Sequence, residues 1–214
     1  MPFMTDLNSE DVKMKIGIFG GAFNPIHNGH LALAENYYES LHLDKIIFIP
    51  TSIPPHKTAD YLVSQNDRLE MVRLATQDNS SFEVSDIEFH RQGKSYTYDT
   101  LLSVKELYPD SEIYLIIGAD QFLTFHLWYK YKEILDMVTL CTSARENEQE
   151  KQELYDYAKS LDGLEKDKYF IANYPVIRFS SSEIRDKIKN GEEISALVPK
   201  RVCEYIFEKG LYSV

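Results

Sequence analysis

A short apolar run that ends in a glycine-rich stretch constrains the fold of this chain more than any other feature. The run Lys15–Phe19 is rich in isoleucine and bounded by glycine, which is typical of a strand buried on both faces of a parallel sheet. Gly20 and Gly21 follow it, and they leave backbone N–H groups accessible to an anion. Apolar residues then recur at helical spacing, which predicts a helix with Asn28 as its N-cap. The order of strand, glycine turn and helix predicts a phosphate site.

Two histidines lie at the start of this predicted helix. His27 and His30 are three residues apart, so both side chains can face the same point. Imidazoles donate directional hydrogen bonds and can carry positive charge, which suits the charge that develops on a phosphoryl group during transfer. The stretch has neither the ending of a Walker loop nor the Gly-x-Gly-x-x-Gly of a dinucleotide fingerprint. The pattern therefore predicts phosphate chemistry that depends on histidine.

The stretch from Gly20 to His30 resembles the Gly-x-Phe-x-Pro-x-His-x-Gly-His signature of the nucleotidyltransferase superfamily, whose members join a nucleoside triphosphate to a phosphate-bearing acceptor. A second segment, Phe179–Arg185, resembles the Ile-Ser-Ser-Thr-x-Ile-Arg signature of the same site, with Phe for Ile and Ser for Thr. Serines at a helix start and an arginine one turn inside suit phosphate oxygens. The two motifs imply an ATP site with these residues: Gly20, Gly21, Phe23, His27, His30, Ser181, Ser182 and Arg185. The resemblance also implies a catalytic role for His27, His30 and Arg185.

A loop with two prolines follows the second predicted strand, Lys45–Pro50. The prolines hold the loop extended and reduce the entropy lost when it orders over a ligand, which would let Lys57 reach a triphosphate. The resemblance implies the same ATP-binding role for Lys57. The alternative is a solvated surface lysine.

A third ligand segment follows the predicted strand Glu112–Ile117, at a carboxyl end where open α/β sheets bind ligands. The carboxylate of Asp120 suits hydrogen bonds from a ribose, or contact with Mg²⁺ through water. A helix N-cap is the alternative, and one aspartate can serve both purposes. The resemblance to the superfamily's Gly-Ala-Asp implies nucleotide contact for Gly118 and Asp120.

Two further features concern the acceptor. The stretch Ser95–Thr100 is a helix start that attracts anions, and on its own it is a capping motif. It resembles the Ser-Tyr-Thr-x-Asp-Thr segment of bacterial nicotinate-nucleotide adenylyltransferases, which implies that Tyr96 and Thr97 receive the pyridine carboxylate. In the same family a tryptophan at the position of Trp128 stacks on the pyridine ring. Trp128 is the only tryptophan, and its aromatic and lysine neighbours predict a partly exposed loop.

The remaining elements follow from apolar periodicity. We expect helices over 65–77 and 146–162, the latter ending at Gly163, and a last helix that runs through Ile206. We expect strands over 82–88, 137–141 and 174–178. The sequence leaves open whether Arg145 faces the substrate.

Composition limits the remaining possibilities. Residues 1–13 are polar and acidic, so we expect a disordered extension without a signal peptide, and one domain over 14–214. The net charge of −11 argues against nucleic acid as a partner. No apolar run approaches membrane-spanning length, and the two cysteines, Cys141 and Cys203, lack metal spacing. We therefore expect a cytoplasmic protein without a membrane partner, with homo-oligomers left open.

The expected fold is a Rossmann-like α/β domain: a doubly wound, mostly parallel sheet with a small C-terminal helical portion. The resemblance implies transfer of AMP from ATP to nicotinate mononucleotide, with Mg²⁺ as cofactor, in NAD biosynthesis. Three alternatives stay open: nicotinamide mononucleotide as the acceptor, phosphopantetheine as the acceptor, or a nucleotide-sensing protein without turnover.

Overall fold

The computed structural model describes residues 13–53, 62–144, 148–174 and 179–213. They form one six-stranded sheet of order β3-β2-β1-β4-β5-β6, and every neighbouring pair is parallel. The strands are β1 (Lys15–Gly21), β2 (Lys45–Pro50), β3 (Phe82–Val84), β4 (Glu112–Ile116), β5 (Val138–Ser143) and β6 (Tyr169–Ala172). The helices are α1 (Asn28–Leu41), α2 (Gln65–Thr76), α3 (Thr97–Leu107), α4 (Ala119–Leu123), α5 (Tyr131–Met137), α6 (Glu148–Ser160), α7 (Ser181–Lys189) and α8 (Lys200–Glu208). Short 3₁₀ turns span Ile87–His90 and Phe125–Leu127.

Helices cover both faces of the sheet, as a parallel sheet requires. Helices α3, α4, α5 and α6 bury apolar side chains on one face, and α1, α2, α7 and α8 do so on the other. Side chains of β1 alternate between the faces: Ile16 and Ile18 belong to the first cluster and Phe19 to the second. This arrangement confirms the Rossmann-like doubly wound class and the short helical portion at the C-terminus.

The strand order reverses beside β1, which pairs with β2 on one side and with β4 on the other. In doubly wound sheets, ligands bind outside the carboxyl ends of the strands at such a switch point. The glycine-rich stretch that follows β1 lies at this position.

Two local predictions were wrong. The strand expected over 82–88 ends at Val84, because the chain turns into the 3₁₀ segment Ile87–His90, where the Ile87 N–H bonds the Ser85 hydroxyl at 3.3 Å. The last strand of the described sheet, Tyr169–Ala172, was not predicted, and it pairs with β5; the strand expected over 174–178 is a separate segment. Of the expected segment, residues 175–178 lie outside the described residues.

The second wrong prediction concerns the start of α1. Its N-cap is His27, with an extended φ of −146°, and Asn28 is the first helical residue. The Asn28 side chain donates instead to the carbonyl of Ala196 at 3.1 Å. The C-terminal part of the chain therefore holds this end of the helix.

The expectation for residues 1–13 falls almost wholly outside the described residues. In the part of the chain that the structure describes, no helix is long and apolar enough to cross a membrane. Cys141 and Cys203 are free thiols, the first buried in the sheet.

Candidate active site

A cavity of about 1450 Å³ opens at the carboxyl ends of the central strands. Within the described residues, four helices have their N-cap at it. Their N-cap residues all line the cavity, and they are His27 of α1, Tyr96 of α3, Gly118 of α4 and Ser180 of α7. A helix N-terminus carries a partial positive charge and orphan N–H groups. The topology therefore brings these four helix N-termini to the same cavity.

The two predicted histidines form a stacked pair. Their ring centroids are 3.7 Å apart with an interplanar angle of 26°. The backbone N–H of His27 donates to Nδ1 of His30 at 3.2 Å, which places the proton of a neutral His30 ring on Nε2. His27 is 8% exposed, and its Nδ1 has no hydrogen-bond partner among the described residues. Burial lowers the pKa of His27 to about 4, so this ring is neutral near pH 7.

Phe23 lies beneath this pair in the core rather than on the cavity wall. It is 2% exposed and packs edge-to-face against Phe19 and His30 at 5.6 and 5.2 Å. Its φ of 44° is in the left-handed region, which an aromatic residue rarely adopts and which is often retained at functional sites. The structure gives Phe23 a supporting position under His30.

Gly20 and Gly21 are the last two residues of β1 rather than a turn after it, and both line the cavity with different surroundings. A Cβ on Gly21 would stand 3.2 Å from the ring of Phe23. A Cβ on Gly20 would meet no atom within 4 Å. Packing against Phe23 therefore favours glycine at position 21, whereas Gly20 keeps the cavity open.

Arg68 was not identified from the sequence. It is 1% exposed and donates to the carbonyls of Ala22, Thr51 and Ser52 at 2.9, 2.6 and 3.1 Å. These carbonyls belong to the segments that follow β1 and β2, so one guanidinium ties the two segments together. Its signal in the sequence was an arginine on the apolar face of α2, four residues before the buried Val72.

The second motif meets the first at its proline. The Ser181 hydroxyl donates to the carbonyl of Pro25 at 2.8 Å, and Arg185 donates to the carbonyl of Asn24 at 2.8 Å and to the Ser182 hydroxyl at 3.0 Å. Ser181, Ser182 and Arg185 hold the loop from behind and are not among the cavity-lining residues.

The Ser180 hydroxyl caps α7, accepting from the N–H of Glu183 at 3.3 Å. The Glu183 carboxylate accepts in return from the backbone N–H of Ser180 at 2.6 Å. This reciprocal capping box is a strong helix start, and it also places a carboxylate at the cavity.

The residues assigned to the acceptor lie along another part of the wall. Tyr96, Thr97 and Trp128 all line the cavity. Tyr96 contacts the ring of Tyr129 at 4.9 Å, and the half-buried Trp128 packs on Phe125 at 4.9 Å.

Glu88 is a second residue that sequence reasoning missed. Its carboxylate is 7% exposed, lines the cavity and accepts from the backbone N–H of Ser52 at 3.2 Å and the Thr100 hydroxyl at 2.8 Å. It therefore joins the segment after β2 to the first turn of α3. Its only signal was an acidic residue in a segment expected to be a strand.

The charges on the wall are unlike those of a basic phosphate pocket. Among the described residues that line the cavity none is lysine or arginine, and the acidic ones are Glu88, Asp120, Glu148 and Glu183. Gly118 is the N-cap of α4 and Asp120 lies in its first turn, and both line the cavity. Lys57 and Arg145 lie outside the described residues.

Comparisons with known proteins agree with this geometry. The model of the cytidylyltransferase-like family matches residues 18–187. A protein of Desulfitobacterium hafniense (strain Y51) named nicotinate-nucleotide adenylyltransferase is 41% identical over 206 residues, which cover 94% of this chain and 96% of that protein. A relative of the same name from Lachnoclostridium phytofermentans is 38% identical over 198 residues, 92% of this chain and 98% of its own.

Solved structures show the same fold. Plasmodium falciparum nicotinic acid mononucleotide adenylyltransferase complexed with NaAD superposes with a TM-score of 0.76 at 21% identity, over 93% of this chain and 97% of that chain. The motifs, the position of the cavity and the length of the match lead to one assignment: the chain belongs to the nicotinate-nucleotide adenylyltransferase family of cytidylyltransferase-like nucleotidyltransferases.

Proposed function

We propose that this chain transfers the adenylyl group of ATP to nicotinate mononucleotide, forming nicotinate adenine dinucleotide and pyrophosphate. The observation that carries the proposal is one cavity at the sheet's switch point, with the stacked histidines on one part of its wall and Tyr96, Thr97 and Trp128 on another. Its volume of about 1450 Å³ exceeds the roughly 300–1,000 Å³ of a typical small-molecule site, which suits two nucleotides bound side by side.

Attraction of the triphosphate is local, since the whole chain carries a charge of −11. Helix N-termini would supply hydrogen bonds to phosphate without bringing a lysine or arginine onto the described wall. Arg68 contributes from behind, because it fixes the carbonyls of Ala22 and Thr51 toward its own guanidinium. A carbonyl fixed in that direction is not presented to an anion.

In the reaction, a phosphate oxygen of the mononucleotide attacks the α-phosphorus of ATP in line. A new P–O bond forms while the bond from the α-phosphorus to the pyrophosphate oxygen breaks. The nucleophile is already ionised near pH 7, so the step needs no general base. Catalysis then consists of positioning and charge stabilisation, as in phosphoryl transfer generally.

His27 and His30 would donate to the α- and β-phosphates, and Lys57 and Arg185 would contact the β- and γ-phosphates. Arg185 lies behind the loop rather than on the cavity wall, so it would reach the phosphates with donors that the loop does not use. A guanidinium has five N–H donors, and Arg185 donates to two groups, the Asn24 carbonyl and the Ser182 hydroxyl.

The donor set fits a magnesium ion that arrives with the triphosphate. No group of three or more His, Cys, Asp or Glu side chains able to hold a metal occurs within the described ranges. Mg²⁺ usually keeps several waters and binds through one or two carboxylates plus substrate phosphates. Asp120, which lines the cavity, would contact it through water. Such an ion would supply positive charge to stabilise the departing pyrophosphate.

The acceptor end favours a carboxylated pyridine. Tyr96 is the N-cap of α3 and Thr97 its first residue, so the N–H groups of this turn offer donors to an anion. A nicotinate carboxylate gains from that dipole more than a neutral amide does. Trp128 supplies an electron-rich surface for the electron-poor ring.

Pyrophosphate release with ATP and Mg²⁺ tests the proposal, with nicotinate mononucleotide, nicotinamide mononucleotide and phosphopantetheine compared as acceptors. We expect nicotinate mononucleotide to be preferred, and His30→Ala to lower kcat by roughly 10²- to 10³-fold with an unchanged circular dichroism spectrum. Equal use of the two pyridines would remove the carboxylate site from the proposal. Absence of turnover with all three acceptors would overturn it.

A further inference from the structure

The terminal segment of the chain reaches back to the loop between β1 and α1. Tyr212 lies 188 positions after Asn24, and its hydroxyl donates to Oδ1 of Asn24 at 2.8 Å. The same oxygen accepts from the backbone N–H of Val63 at 3.3 Å. Asn24 is 7% exposed, so its amide is held inside the protein.

The direction of this segment is set by the way α8 ends. The N–H of Gly210 bonds to the carbonyl of Phe207 at 3.2 Å, and that of Leu211 bonds to the carbonyl of Ile206 at 2.9 Å. These are the two hydrogen bonds of a Schellman motif, and Gly210 has the positive φ, 60°, that the motif requires. The motif reverses the chain, and Leu211 and Tyr212 pack on the core cluster that contains Phe23.

Asn24 connects this segment to the catalytic elements. Its carbonyl accepts from Arg185, and its backbone lies three residues before His27. The other side of the loop is held similarly, because the N–H and side chain of Asn28 donate to the carbonyls of Leu197 and Ala196 at 2.9 and 3.1 Å. Residues that follow α7 therefore form hydrogen bonds with the loop on both sides of the histidine pair.

We propose that Tyr212 is a positioning residue for ATP: through Asn24 it fixes the loop that presents His27 and His30 to the phosphates. The inference deepens the proposed function and rests on it. Burial raises the pKa of the Tyr212 phenol above its ordinary value, so the hydroxyl keeps its proton and remains a donor. The role predicts an effect on ATP and little effect on the acceptor, whose assigned residues belong to other elements.

Tyr212→Phe removes only the hydroxyl, and the chain offers a matched control. The hydroxyl of Tyr205, also half-buried, donates to the carboxylate of Asp67 at 2.9 Å and so does not reach the loop. We expect Tyr212→Phe to lower kcat/KM for ATP roughly three- to tenfold and to change KM for nicotinate mononucleotide less than twofold. Tyr205→Phe should keep both within roughly twofold of wild type. Equal effects of the two substitutions on ATP kinetics would overturn the inference.

A double-mutant cycle tests the route. If Tyr212 acts through Asn24, then Tyr212→Phe should have little further effect on kcat/KM in an Asn24→Ala background. Additive losses would show that the hydroxyl acts elsewhere, and would overturn the inference.

Calorimetric titration with ATP separates this inference from the proposed function. Should the wild type release no pyrophosphate, the proposed function fails. The affinities of the two variants for ATP still test the inference in that case. The inference requires that Tyr212→Phe weakens ATP binding more than Tyr205→Phe does.

Discussion

At the scale of single residues, burial decides the charge of His27. An imidazole with an ordinary pKa of 6.5 is partly protonated in slightly acidic solution, whereas burial lowers the pKa of His27 to about 4. A neutral ring can donate one hydrogen bond to a phosphate without placing a positive charge in the cavity wall. A bound triphosphate would raise this pKa, because the negative charge favours the protonated ring.

The lowered pKa predicts a pH-dependent stability. Below pH 6.5, His27 binds a proton in the unfolded chain but not in the folded chain. The contribution of neutral His27 to the unfolding free energy is therefore complete above pH 6.5 and is lost as the pH falls toward 4. Between pH 7 and 4.5, wild type should lose about 2 kcal/mol more unfolding free energy than His27→Gln. Urea denaturation at the two pH values measures this difference. Equal losses would contradict the pKa.

The two adjacent glycines should separate stability from binding. Gly21→Ala brings a methyl group to 3.2 Å from the ring of Phe23, which is itself packed against Phe19, Phe48 and His30, so we expect a loss of about 1–2 kcal/mol in unfolding free energy. Gly20→Ala meets no protein atom, so stability should change by about 0.5 kcal/mol or less, while KM for ATP should rise roughly tenfold or more. Thermal denaturation and steady-state kinetics on both variants test the contrast. The opposite pattern would remove Gly20 from the ATP site.

The residues that sequence analysis identified share a local pattern. His27, His30, Tyr96 and Thr97 all follow directly from motifs at a strand or turn that opens a helix, and the structure places each of them on the cavity wall. Arg68 and Tyr212 could not be found in this way. Their partners lie 46 and 188 positions away, and only the tertiary fold brings them together.

At the scale of elements, α2 supports the site although it contributes no side chain to the cavity wall. Its Arg68 supplies hydrogen-bond donors to the carbonyls of Ala22, Thr51 and Ser52. Burial lowers the pKa of this guanidinium, while the nearby Tyr212 and Glu88 raise it. The guanidinium remains charged at neutral pH.

Arg68→Met should therefore destabilise the protein strongly. Leaving the three carbonyls unsatisfied should lower the unfolding free energy by about 3 kcal/mol. The side chain of Arg73, on the same helix, is 53% exposed and lies 3.9 Å from Asp86. Arg73→Met should therefore change the unfolding free energy by about 0.5 kcal/mol or less. Urea denaturation of the two variants gives the comparison. A small effect of Arg68→Met would contradict the role assigned to its three contacts.

The sequence predicted elements best where apolar periodicity and turn residues agree. The bounds predicted for β2 were those of the structure, and α2 ended one residue early. Strand β6 was missed because only four residues, Tyr169–Ala172, follow a charged stretch, too few to show a period. A segment this short forms a strand because it pairs with β5, and this pairing leaves no pattern in the local sequence.

At the scale of the whole molecule, the strand order creates the site. Elements predicted separately along the chain place their carboxyl ends together because all strands of the described sheet are parallel. The sequence indicated this class through its alternation of strands and helices. It could not indicate that four helix N-termini meet at one cavity, because that depends on the order of strands in the sheet.

The global charge opposes the local attraction of this site. A net charge of −11 repels an incoming nucleotide at long range, whereas helix N-termini act within the first turn. Added salt screens the long-range repulsion, with a Debye length of about 10 Å at 0.1 M, and screens contacts inside the cavity much less. The dependence of kcat/KM on ionic strength therefore shows whether long-range repulsion or attraction inside the cavity determines the rate of ATP binding.

Raising KCl from about 20 to about 200 mM should increase kcat/KM for ATP by about twofold, at saturating Mg²⁺ and acceptor. An uncharged osmolyte at the same osmolality should produce no such increase, because it does not screen charge. A site dominated by exposed cations would behave in the opposite way, since salt would weaken its attraction for the triphosphate. A steep fall of kcat/KM with salt would thus show that cations outside the described wall, Lys57 first among them, outweigh the repulsion from the rest of the molecule.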